Sequence, residues 1–139
     1  MQIVKNCWSA IETFNCQYGA LLFDGGSASI YVNHWLAPDQ YLIDRFSRRN
    51  EGGFVGHCLL VFVGVRRCLR EVRTHRRVDG EVVWSHPVRS EYEGDFSGAT
   101  ETFSFEGSLQ GFSSHVKWEV EASEFELHIL GRDEPAREA

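Results

Sequence analysis

What this 139-residue chain lacks narrows its class before any motif is read. No stretch approaches the roughly eighteen consecutive apolar residues of a membrane-spanning helix. The start, MQIVKNCWSAIETFNC, has no basic segment followed by an apolar one, so a cytoplasmic location is expected. Prolines number only 3 and no low-complexity run occurs, which sets the chain among globular and not disordered sequences. The four cysteines, Cys7, Cys16, Cys58 and Cys68, have no CxxC spacing, so they are expected to be reduced, buried, small apolar residues and not zinc ligands or disulfides. The six histidines lack HxxxH and HxH spacing, and no metal or cofactor is expected.

Catalytic signatures are equally scarce. DGGSAS is followed by no GK[ST] and belongs to no GxGxxG, so its glycines read as a turn. There is no GxSxG elbow, and Glu91, Glu93 and Asp95 in SEYEGDFSG read as an exposed acidic loop. The expected protein is therefore not an enzyme.

What is present points to strands. Aromatic residues make up 13%, including ten Phe and four Trp. Ile3, Cys7, Ile11 and Phe14 recur at near-helical spacing, which predicts an amphipathic helix over 2–15. YGALLFDGGSASIYVNHW predicts two strands around Asp24-Gly25-Gly26. Asp39 is placed to cap a short helix carrying Leu42, Ile43 and Phe46. CLLVFVGV reads as a central strand buried on both faces, with Gly64 marking a bulge or bend.

Three later segments alternate. TETFSFEG puts Phe103 and Phe105 on one face, HVKWEVEA puts Val116, Trp118, Val120 and Ala122 on one face, and EFELHIL does so with Phe125, Leu127 and Ile129. Two late hairpins are expected from them. The fold class is mainly β (α+β): an antiparallel sheet, sandwich or partly open barrel of about seven or eight strands with one or two short helices. It forms a single domain over 1–139, with 131–139 a frayed tail.

The sharpest feature is a charge cluster. Arg66, Arg67, Arg70, Arg73, Arg76 and Arg77 fall within twelve residues whose only acid is Glu71, giving +5 in a chain of net charge −6, so the remainder carries −11. The overall negative balance disfavours nucleic acid as a partner. Val65, Cys68, Leu69 and Val72 also fit a helix, but Asp79-Gly80 is a hairpin signal that needs a strand on each side, so 70–78 is read as strand.

Two registers then compete. A two-residue loop sets His75 opposite Trp84 and puts Arg73, His75 and Arg77 on the face of Val82 and Trp84. A three-residue bulged loop sets Val78 opposite Val82 and leaves the charges outside. The bulged register separates charge from core and is the expected one, because unpaired buried charges cost several kcal/mol each. The outward arginines can balance Glu119, Glu121, Glu124 and Glu126 on the late strands, or they can meet a partner.

Two stretches, CLLVFVGVRRCLREV and FSFEGSLQGFSSHVKWEVEASEFEL, resemble segments of small bacterial all-β proteins, including immunity proteins that neutralise polymorphic toxins. The resemblance implies a cytoplasmic, β-rich accessory-gene product that acts by binding a partner. The basic stretch departs from it, since a nuclease inhibitor would present an acidic face. The expected function is a non-enzymatic protein-binding module, compatible with a homodimer, that uses Arg73, His75 and Arg77 on an exposed charged sheet surface. The alternative is a small-molecule-binding β domain or enzyme with an aromatic pocket lined by Trp35, Trp84 and Trp118.

Overall fold

The computed structural model describes residues 1–137 and is mainly β. The chain runs through β1 (Gln2–Lys5), a 3-10 turn (Trp8–Ala10), β2 (Ile11–Glu12), β3 (Cys16–Phe23) and β4 (Ser27–His34). There follow β5 (Ala37–Pro38), α1 (Gln40–Ile43), β6 (Arg48–Arg49), β7 (Val55–Gly56) and β8 (Cys58–Val78). The last strands are β9 (Glu81–Trp84), β10 (Val88–Glu93), β11 (Glu101–Leu109) and β12 (Ser114–Ile129).

Two long strands organise everything else. β8, of 21 residues, and β12, of 16, pair antiparallel from Thr74↔Ser114 to Cys58↔Ile129. The other edge of β8 is shared among β4, β10 and β9, and the other edge of β12 between β11 and β1. β3 joins β4 to β11, and its contact with β11 is parallel, Gly107↔Cys16 to Leu109↔Tyr18. The path from β12 through β11, β3, β4 and β8 thus returns to β12, rolling the sheet into a closed ring of five strands.

The ring encloses the core. Trp8 inserts among Phe62, Phe103, Phe105 and Phe125 with ring centroids 4.9 to 5.9 Å away, mostly edge to face. Such pairs add to burial worth roughly 1.5 to 3 kcal/mol per large side chain. Trp118 and Phe125 are both 2% exposed, as the alternation of their strands requires. CLLVFVGV is buried on both faces: Cys58, Leu60 and Phe62 face the main core, while Leu59 and Val61 join Tyr31 and Leu130 in a smaller cluster.

Several expectations need correction. Residues 2–15 are not a helix: the predicted stripe fails because Ile3 and Phe14 are exposed, and Asn6 at φ 57 turns the chain after β1. The two late hairpins are one, because HVKWEVEA and EFELHIL form a single strand. The inward residues change phase between Ala122 and Phe125, which in sequence resembles a turn and in the structure is a bend in a continuous strand. On β8 the matching irregularity lies around Gly64, at φ 66, and Arg66, the extra residue between Val65↔Ala122 and Arg67↔Glu121.

Asp39 does occupy the N-cap position of α1, although its side chain makes no capping bond. The tail expected to fray docks as far as Arg137, whose carbonyl accepts a hydrogen bond from the Ala20 amide at 2.9 Å; its last two residues lie outside the described ones.

Candidate functional site

The arginine stretch is strand throughout, and its six guanidinium groups meet different fates. Arg67 pairs with Glu91 of β10 and reaches Glu121 of β12 at 3.9 Å. Arg66 donates to the Gly98 carbonyl. Arg70 faces inward, directly opposite Trp118, with its guanidinium carbon 5.8 Å from the indole centroid. Of the six, Arg67 alone forms an ion pair among the described residues, so balance against the acidic strands accounts for one arginine.

Arg76 and Arg77 lie where β8 outruns β12, and Arg73, still paired with His115, lies just before that point. β12 stops pairing at Ser114↔Thr74, and from His75 to Val78 the strand pairs only with β9. The result is a two-stranded ribbon with both faces in solvent, on which Val78, Val82, Val83 and Trp84 are 40 to 51% exposed. Its turn is the two-residue kind, with Asp79 at φ 52 and Gly80 at φ 82, the left-handed pair that suits the twist of flanking strands. His75 pairs with Trp84 and Val78 with Glu81, so the expected bulged register is wrong. The bulged register would keep charges out of a core, and among the described residues neither core cluster includes the ribbon.

The observed register brings Arg73, His75 and Arg77 onto the face that carries Trp84. The His75 and Trp84 rings are 4.6 Å apart, and the Arg73 guanidinium lies 5.2 Å from the indole centroid. Arg73 also donates to the Ser85 carbonyl and Arg77 to that of Gly80, both at 3.4 Å. Sequence reasoning assigned Trp84 to a pocket; the two-residue register was the signal that places it among the arginines.

No family model, curated protein or solved structure matches this chain. The geometry therefore carries the functional reading alone.

The three tryptophans named for a pocket do not come together. Trp35 is exposed beside His34 and Phe54, Trp84 lies on the ribbon, and Trp118 is buried in the core, its strand bordering a cleft of about 730 Å³. That cleft extends over two registered rows of side chains. One row is Arg89, Glu71, Lys117 and Glu106, alternating in sign across β10, β8, β12 and β11. The other contains Leu69, Glu119 and Ser104. The segment from Trp8 to Phe14 completes the lining.

Elsewhere the polar groups serve the fold. His57, at φ 60 and buried, accepts from the Tyr31 hydroxyl at Nδ1 (2.7 Å) and donates from Nε2 to the Gly131 carbonyl (3.0 Å), tying the chain end to β4. All four thiols are free and buried, and burial pushes Cys16 up to about 12 and Cys68 up to about 11. Among the described residues, no group of three or more His, Cys, Asp or Glu is placed to hold a metal ion.

Proposed function

We propose that this chain is a protein-binding module whose contact surface is the β8–β9 ribbon. The observation that carries the reading is the exposed Trp84 indole, held between His75 and Arg73 on a ribbon whose apolar side chains belong to neither core cluster. Trp and Arg are the residues that most often dominate binding energy at protein interfaces. Val82 extends the apolar surface beside Trp84, while Arg73 and Arg77 supply a cationic rim suited to an acidic partner surface. An immunity-type inhibitor, which acts by occupying its target, is one form such a module takes. A second copy of the chain is another occupant, tested by its oligomeric state.

The test compares wild type with Trp84→Ala and with Arg73→Ala/Arg77→Ala against a partner captured on the wild-type chain. Trp84→Ala should weaken binding by at least about 2 kcal/mol, roughly thirtyfold. The arginine pair should slow association and flatten its salt dependence. A partner that binds Trp84→Ala with wild-type affinity would place the contact surface elsewhere.

A further inference from the structure

We propose that a second copy of this chain pairs with the open edge of β9, so that two ribbons join into one four-stranded antiparallel sheet about a twofold axis at Val83. The contact uses the edge of the ribbon, whereas the partner surface proposed above uses its Trp84 face. The inference extends that reading, and the two are tested apart.

The register tells which backbone groups are free. Asp79 and Gly80 form a two-residue turn, so Val78 and Glu81 are the hydrogen-bonded pair that closes it. Bonded and non-bonded pairs alternate along an antiparallel ladder, which makes Arg76↔Val83 bonded and leaves Arg77↔Val82 and His75↔Trp84 non-bonded. The Ser85 amide, donating to the Thr74 carbonyl at 2.8 Å, keeps the same phase. The N–H and C=O groups of Val82 and Trp84 therefore point away from β8, and among the described residues β9 pairs with no other strand.

This edge lacks the usual protection. Open strands are normally blunted by charge, proline or a bulge. β10, which ends the sheet on the same side of β8, carries Arg89, Glu91 and Glu93. Along β9, by contrast, Val82, Val83 and Trp84 are consecutive, apolar and exposed.

Self-complementarity identifies the occupant. Pairing about Val83 sets Val82 of each copy opposite Trp84 of the other, and each such pair exchanges both its N–H···O bonds. An axis at Val82 would set Trp84 opposite Gly80, and an axis at Trp84 would set Val82 opposite His86. Only the Val83 axis matches all three apolar residues with apolar ones. The arginines stay on β8, so those of the two copies stand three strand spacings apart, roughly 14 Å, beyond the screening length of about 8 Å at physiological salt.

Sedimentation velocity from about 10 µM to about 1 mM should show a reversible monomer–dimer equilibrium, weak because the contact is small. Over the same range, amide hydrogen exchange at Val82 and Trp84 should slow as the dimer fills. Val83→Lys and Val83→Asp each place like charges face to face at the axis and should weaken the dimer at least about tenfold. An equimolar mixture of the two variants should associate at least about tenfold more tightly than either alone, which loss of folding would not produce. A monomer throughout, a dimer unmoved by Val83→Lys, equally fast exchange at Val82 and Trp84 in the dimer, or a mixture no tighter than its components would each overturn the proposal. A monomeric chain whose captured partner is lost on Trp84→Ala overturns the edge pairing alone; a dimer that meets every expectation above supports it even where Trp84→Ala leaves partner binding unchanged.

Discussion

Gly64 of β8 lies against Ser123 of β12: a Cβ on Gly64 would stand 2.2 Å from the Ser123 hydroxyl oxygen. The Ser123 hydroxyl in turn donates to the Val63 carbonyl at 2.9 Å. This is where both long strands change the phase of their inward residues, and Gly64 holds a φ of 66 that side chains disfavour. Gly64→Ala should therefore destabilise the protein by about 1 to 3 kcal/mol through backbone strain, with the clash adding to it. Urea unfolding measures the loss. In a Ser123→Gly background part of the loss should be recovered; full additivity would show that Ser123 is not the obstacle.

Phe125 sits at the centre of the ring, paired with Phe62 and packed against Trp8. Phe125→Ala should cost about 3 to 5 kcal/mol, the usual penalty for emptying a large aromatic site. A loss below about 1 kcal/mol in equilibrium unfolding would mean that the neighbours collapse into the space or that the side chain is not enclosed.

Much of this core was legible because strand alternation is a strong signal. Val116, Trp118, Val120 and Ala122 keep one parity, as do Phe125, Leu127 and Ile129, and all are buried. What the pattern did not convey is that a phase change can be a bend as well as a turn, so β12 was divided in two. The N-terminal segment misled for a related reason: its apolar spacing fits a helix, yet its largest contribution is Trp8, off the predicted stripe, inserted among four phenylalanines. At the ribbon, the assumption of a core beneath the hairpin selected the wrong register. Arg73, His75 and Arg77 were found, but Trp84 beside them was not. The cleft depends on residues from four strands, β8, β10, β11 and β12, and the N-terminal segment, and no local pattern announces it.

The thiols give a chemical check on burial. Burial holds Cys16 up at about 12 and Cys68 at about 11, far above the pH of ordinary labelling, so neither supplies thiolate in the folded state. At pH 8 an aromatic disulfide reagent should react slowly with native protein and with four thiols after denaturation. Rapid modification of Cys16 before unfolding would contradict the closed ring.

Removing the ribbon charges should leave the fold intact. Arg73 and Arg77 are exposed, their hydrogen bonds to the Ser85 and Gly80 carbonyls are long, and Arg73 otherwise lies over the exposed Trp84 ring. Arg73→Ala/Arg77→Ala should change unfolding free energy by less than about 1 kcal/mol. A larger loss would mean that the ribbon supports the barrel, and the double variant could then not isolate binding.

His34 links stability to pH. The Oδ1 of Asn50 accepts from the Gly52 and Phe54 amides, so its Nδ2 is the group facing His34 Nε2, at 3.3 Å. Nε2 must accept there, which favours the neutral ring. Burial, and secondarily the nearby Arg48 charge, lower the His34 pKa below its ordinary 6.5. The unfolded chain then takes up a proton near pH 6.5 that the folded one still refuses, so the contribution of His34 is present above that pH and is lost as pH falls toward the folded value. Between pH 7.5 and 5.5, wild-type stability should decline more steeply than that of His34→Gln, which binds no proton. Parallel pH profiles for the two proteins in urea unfolding would show that His34 titrates normally; a steeper decline in the variant would reverse the sign of the linkage.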